Sequence, residues 1–436
     1  MTNRRALTAG PPAGRFTALY ALLQKLFYDG PGLPGVFFAV GALSFGVGTI
    51  VMANVLAPAD LGVVMLFLVF LRLGIALGPF GLDVQLLRAR PSQDVVPFGA
   101  ILPTSILTTL FSVAVITVLY ELPLQLLLAL SVGLIGATCW RMFVVLNQAR
   151  GRKKKALTLS QAPNIIALVL GLTAWLGGIR SPNTLCMLGA AGYVSAALIG
   201  WKLSHAENWA AADRQPDDWK LADRFGLAGL AIMALLLGQI ERFLIPEALT
   251  LEDLALYSAV ASLAVAPLKL LSSVSKFYLI PFATGARNPT ELVDVIRYQG
   301  MALAGLALLS CVAVLVISPW LWDRILPETY VIENALVLAV LAVGLVRLYV
   351  AIANTLLQAG GSTRALFMSN IGVLFCLGLA SVLASTMSAG KLTTMIWILV
   401  GGIACYGLTA TVLVAGVIRN KRSSHAGVHQ GPPHDR

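Results

Sequence analysis

Twelve stretches of this chain are each apolar for long enough to cross a hydrocarbon core, which takes about 20 residues of helix. They lie at about 35–56, 61–87, 97–119, 123–147, 158–178, 183–202, 224–245, 253–281, 299–319, 332–359, 365–386 and 393–417. No soluble fold buries that many such segments. Within lipid every backbone N–H and C=O must be paired inside its own segment, so runs of this length read as helices. Turn chemistry separates them, as in Ala57-Pro58-Ala59-Asp60 and Gly178-Ile179-Arg180-Ser181-Pro182-Asn183. The expected fold class is an all-α polytopic membrane protein of twelve transmembrane helices. Composition agrees: of 436 residues 58% are hydrophobic and 12% charged, about half the charge of an ordinary soluble domain.

The placement of charge sets the orientation. Twenty-two of the 31 lysines and arginines fall on one side of the spans, among them Arg88, Arg90 and the run Arg150-Gly151-Arg152-Lys153-Lys154-Lys155. Only Arg180, Arg242, Arg324 and Lys391 fall on the other side. By the positive-inside rule both termini face the cytoplasm, as in a bacterial inner membrane. The net charge of +11 is then a means of holding anionic membrane lipids, and nucleic acid is not expected as a partner. The first residues carry no short apolar core with a cleavage site, so no removable leader is expected. Cys139, Cys186, Cys311, Cys376 and Cys405 all sit in apolar segments without a CxxC spacing, and read as small buried hydrophobes. No metal or cofactor is expected. Three of the four histidines lie in the polar tail, and His205 stands alone at a span end.

Five regions follow. Residues 1–34 form a cytoplasmic segment in which 17–28 has the pattern of an interfacial amphipathic helix. Residues 35–203 and 224–418 hold six spans each, residues 204–223 form a polar, Asp-containing linker, and 419–436 read as a disordered tail. The halves echo one another. Leu56-Ala57-Pro58-Ala59-Asp60-Leu61 joins the first two spans, and Leu249-Thr250-Leu251-Glu252-Asp253-Leu254 joins the corresponding pair of the second half. Such internal repeats are how many transporters are built.

The segment from Asn54 to Gly62, the span ending Gly78-Pro79-Phe80-Gly81-Leu82-Asp83, and the following Leu87-Arg88 resemble the polysaccharide transporter family. These are the O-antigen flippases of the multidrug, oligosaccharidyl-lipid and polysaccharide exporter superfamily. Leu256-Tyr257-Ser258-Ala259, Ile280-Pro281 and Leu356-Leu357-Gln358-Ala359-Gly360-Gly361 are similar to that family's second half. The resemblance implies two six-helix lobes around a central cavity that opens to alternate sides. It also implies an undecaprenyl-pyrophosphate-linked oligosaccharide as substrate, and surface polysaccharide assembly proteins as partners.

Ionisable residues within spans are costly and mark function by default. Seven qualify: Arg72, Asp83, Arg141, Glu241, Lys269, Lys276 and Arg347. The five cations are candidates for a cavity that binds an anionic headgroup, because lysine and above all the planar guanidinium suit phosphate oxygens. Asp83 and Glu241 are the candidates for coupling to H+ or Na+. Arg72 and Asp83 share one helical stripe but are separated by roughly 16 Å along it, too far for direct contact. No HExxH, GxSxG, P-loop or Rossmann glycine pattern is present, so the chain is not expected to be an enzyme. Two alternatives stand beside the flippase. One is a drug or cation antiporter of the same superfamily, expected to carry an acidic cavity. The other is a membrane polysaccharide polymerase, expected to carry a large outer loop.

Overall fold

Apolar runs that satisfy their own backbone can only pack helix against helix. The computed structural model is all helical among the residues it describes, which are 32–83, 86, 98–120, 122–204, 221–273, 275, 289–360, 362–388 and 390–428. The expected interfacial helix at 17–28, Lys276, Arg88, Arg90, and most of the linker lie outside them.

The first half contains α1 (Gly32–Val55), α2 (Pro58–Leu77), α3 (Phe98–Leu119) and α4 (Leu124–Ala149). It continues through α5 (Lys153–Ser160), α6 (Ala162–Gly177) and α7 (Pro182–Leu203). The second half contains α8 (Leu221–Ala248), α9 (Leu251–Ala264), α10 (Ala266–Ser273) and α11 (Pro289–Ile325). It ends with α12 (Asn334–Gly360), α13 (Thr363–Met387) and α14 (Leu392–Val428). Starts follow local chemistry: Pro58 and Pro182 occupy first-turn positions where a missing N–H costs nothing. Ser181, Thr250 and Ser362 each cap a helix by accepting a backbone N–H three residues on.

Among the described residues nine helices are long and apolar enough to cross a membrane singly, and two bent pairs bring the number to 11. The 28-residue α8 extends about 42 Å at 1.5 Å per residue and completes twelve spans. The bends revise the sequence expectation of continuous helices at 158–178 and 253–281. The axis turns by 41° between α5 and α6 and by 57° between α9 and α10. Pro163 and Pro267 follow the two breaks, each removing an i→i−4 bond and crowding the preceding turn. In an unbroken helix Leu159 O would receive the N–H of residue 163. Here it accepts the Trp140 indole N–H at 2.8 Å instead. The last helix also runs past Arg419 to Val428, well into the segment expected to be disordered. Cys405 is exposed rather than buried.

In the first lobe α4 packs along α7, α1 along α6, and α2 against α4. The α1–α6 crossing is backbone to backbone: a Cβ on Gly48 would lie 2.3 Å from Ala167 O, and one on Gly171 would lie 2.6 Å from Gly48 O. Without a hydrophobic drive inside lipid, such close approach through small residues is what holds helices together. In the second lobe α14 packs against α12 and α13, and α8 against α13.

The lobes meet through α1 and α2 on one side and α8 and α9 on the other. At one end the meeting is tight. Leu61, Val64, Met65, Ile245, Leu254 and Tyr257 form a fully buried core there. A Cβ on Gly62 would come within 2.2 Å of Leu251 O. Two side chains clasp the backbone across the lobes at the same end. Asn54 Nδ2 donates to Ile325 O at 2.7 Å, and Tyr120 OH donates to Phe243 O at 2.8 Å. Phe70 sits between the Tyr120 and Phe243 rings, at 5.2 and 6.2 Å. Toward the other end the lobes part.

Candidate functional site: a cavity between the lobes

The parting leaves a cavity of about 640 Å³, within the range of about 300–1,000 Å³ typical of small-ligand sites. Phe45 on α1 lines it. Three cations converge on that ring: Arg72 Cζ lies 5.0 Å from its centroid, Lys269 Nζ 5.6 Å and Arg242 Cζ 5.9 Å. The three come from α2, α10 and α8, so both lobes contribute. Lys269 lies on α10, just after the 57° break, and lines the cavity.

Among the described residues none of these three cations has a carboxylate partner. Arg242 has one side-chain hydrogen bond, from Nη1 to Gln239 Oε1 at 3.2 Å, while its buried Nε finds no acceptor. The face of an aromatic ring offsets part of this uncompensated charge. It cannot replace an anion.

Among the described residues, two other candidate cations, Arg141 and Arg347, are each paired with a carboxylate. Arg141 on α4 donates to Asp83 Oδ2 from Nη2 at 3.0 Å and from Nε at 3.3 Å. Between α2 and Asp83 lies a turn with positive φ at Phe80 (47°) and Gly81 (79°). Both residues line the cavity. Arg347 on α12 forms an ion pair with Glu241, and its Nε donates to Leu237 O at 2.7 Å. Tyr257 OH donates to the other Glu241 oxygen at 2.5 Å. Arg347 faces a separate chamber of about 280 Å³ inside the second lobe, lined also by Gln239, Lys269, Asn354 and Thr355.

The expected site residues therefore separate. Arg72 and Lys269 meet in the cavity, joined at its mouth by Arg141 and Asp83. Arg347 and Glu241 pair with one another, with Arg347 facing an adjoining chamber that shares Lys269 with the cavity, and Lys276 lies outside the described residues. Arg242 was missed: a count of loop charges assigned it to the outer face, whereas it is 4% exposed. The available signal was the span itself, since Arg242 lies within the apolar run 224–245 beside Glu241, which is counted as an intramembrane charge. Among the described residues no cluster of His, Cys, Asp or Glu could hold a metal.

No protein-family model and no curated protein matches the chain. Solved structures do. A multidrug resistance MATE family transporter of the MOP superfamily, in its inward-facing conformation, aligns over 88% of this chain and 99% of its own at 14% identity and a TM-score of 0.62. The outward-facing conformation of such a transporter aligns over 93% of both chains at 13% identity and a TM-score of 0.54. A MOP superfamily transporter from Pyrococcus furiosus, described as having a binding pocket of reverse polarity that suggests a different function, aligns over 93% of both chains at 13% identity and a TM-score of 0.53. The chain thus has the fold of the MATE transporters, twelve helices in two lobes, and is a multi-pass membrane protein. These neighbours are transporters and not enzymes.

Proposed function

We propose that the protein exports an anionic amphiphile by alternating access, and that its cargo is an oligosaccharide linked through pyrophosphate to a polyprenyl lipid. The observation that carries this reading is the group of Arg72, Arg242 and Lys269 around Phe45 without a carboxylate partner among the described residues. A low-dielectric cavity with that excess attracts an anion and repels an organic cation. The closed end holds the two loops expected to face outward, and the cavity opens at the end expected to face the cytoplasm. That is the state in which a bacterial inner-membrane exporter would receive a lipid carrier made inside. The better match in TM-score to the inward-facing neighbour supports the same orientation. Asp83 and Glu241 are each engaged by an arginine, so H+ or Na+ coupling at either would compete with that arginine for the carboxylate. Polysaccharide assembly proteins are the partners this cargo implies.

A second reading, export of drugs, is the one favoured by the neighbours, since multidrug resistance transporters are among them. On shape alone it fits better than a polysaccharide role. One experiment separates the two. The gene is deleted in its host, lipid-linked glycans are extracted, and susceptibility to cationic drugs is measured in parallel. Complete glycan units accumulating on the inner face, rescued by the wild-type gene and not by Arg72→Gln, support the anionic cargo. Unchanged glycans with increased sensitivity to organic cations overturn it in favour of drug export.

A further inference from the structure

The cavity has two chemically different walls. Arg72 and Lys269, against Phe45, form one. The other belongs wholly to the first lobe and carries no net charge: the Asp83–Arg141 pair, the Ser160 hydroxyl, and the Gln161 and Asn164 amides at the α5–α6 break, all lining the same space. These groups are already ordered. Gln161 Nε2 donates to Ser160 Oγ at 3.0 Å, and Asn164 Nδ2 donates to Gln161 Oε1 at 3.1 Å. The Gln161 amide fills the space above Gly41, where a Cβ would lie 1.8 Å from its Oε1.

One acceptor on this wall is unsatisfied. Asp83 is 5% exposed, and Oδ2 takes both contacts from Arg141. Oδ1 is buried with no donor among the described residues. A buried carboxylate oxygen left without a donor is costly, and a ligand hydroxyl would remove that cost. Planar carboxylate, guanidinium and amide groups lining one cavity suit vicinal hydroxyls, which present paired donors and acceptors. A polyprenyl chain gains nothing from such a surface.

We propose that the wall formed by Asp83, Arg141, Gln161 and Asn164 is a sugar subsite, which binds the uncharged glycan while the attached anion lies against Arg72 and Lys269. This rests on the anionic-cargo reading above and adds which residues read the glycan. Ser262, Ser272 and Ser273, from the second lobe, supply further hydroxyls to the same cavity.

The test measures binding to the full-length protein in lipid nanodiscs by titration calorimetry. The probes are farnesyl pyrophosphate and the same molecule carrying one glucose, galactose or N-acetylglucosamine. At least one sugar-bearing probe is expected to bind about tenfold more tightly than the bare one, the ratio that one or two good hydrogen bonds provide. That ratio falls to about one in Asp83→Asn and in Asn164→Ala. Arg72→Gln weakens every probe. Thermal melting of each variant shows that it is folded. Bare pyrophosphate binding with no gain from any of the three sugars overturns the subsite and leaves the anionic reading standing. A sugar gain that survives both wall variants also overturns it. No binding of any probe overturns both readings.

Discussion

Glu241 and Arg347 meet across 106 residues of chain inside the second lobe, and Glu241 is 1% exposed. Glu241→Gln keeps the volume and the acceptor for Tyr257 but leaves a buried guanidinium without its counter-charge. At an effective dielectric of about 20 and roughly 4 Å between charges, the lost attraction is about 4 kcal/mol. Removing one partner of a buried pair costs about 3–5 kcal/mol. Arg347→Met strands the carboxylate with Tyr257 OH as its remaining donor and is expected to cost a similar amount. The double variant removes both charges and with them the desolvation penalty, so it should return to within about 1–2 kcal/mol of the wild type. Denaturant titration in mixed micelles, followed by tryptophan fluorescence, gives the four stabilities. Two single changes that each cost under about 1 kcal/mol, or a double change equal to their sum, would refute the claim that these groups stabilise the lobe through each other.

The clasps at the closed end make further expectations. Tyr120→Phe deletes the bond to Phe243 O and is worth about 1 kcal/mol, a shift of about fivefold toward states open at that end, readable by spin-label distances across residues 56–61 and 249–251. Gly62→Val should do more, because any side chain there meets Leu251 O at 2.2 Å from the first carbon. A cysteine at Met65, now 1% exposed, then becomes reactive to a water-soluble thiol reagent in a background lacking the five native cysteines, and absence of labelling would count against the closed-end assignment. Pro267→Ala restores the missing backbone donor and should straighten the α9–α10 break, withdrawing Lys269 from Phe45. The measurement is affinity for inorganic pyrophosphate, which is expected to fall severalfold.

Much of the architecture is legible in one dimension. A bilayer forces each apolar run to satisfy its own backbone, so span number, helix class and most turn positions follow from local composition. Prolines near 163 and 267 mark where two of those runs bend, although run length alone read them as straight. The excess of intramembrane cations over acids is also a property of the chain itself, and so is the repeat of the 56–61 turn at 249–254.

Which cations remain free is decided by the tertiary structure. Asp83 is paired with a residue 58 positions away and Glu241 with one 106 away, and such pairings depend on helix rotation and crossing that no local pattern encodes. The stripe argument linked Arg72 with Asp83 on one helix. Beyond the turn at Phe80 and Gly81, Asp83 pairs with Arg141 instead, and among the described residues Arg72 has no carboxylate partner. Arg242 is counted with the outer charges although it lies inside the apolar run 224–245, and the structure buries it. Local sequence determines whether a segment can be a helix in lipid. Packing between distant segments determines which face each helix presents, and so where the uncompensated charge of the cavity lies.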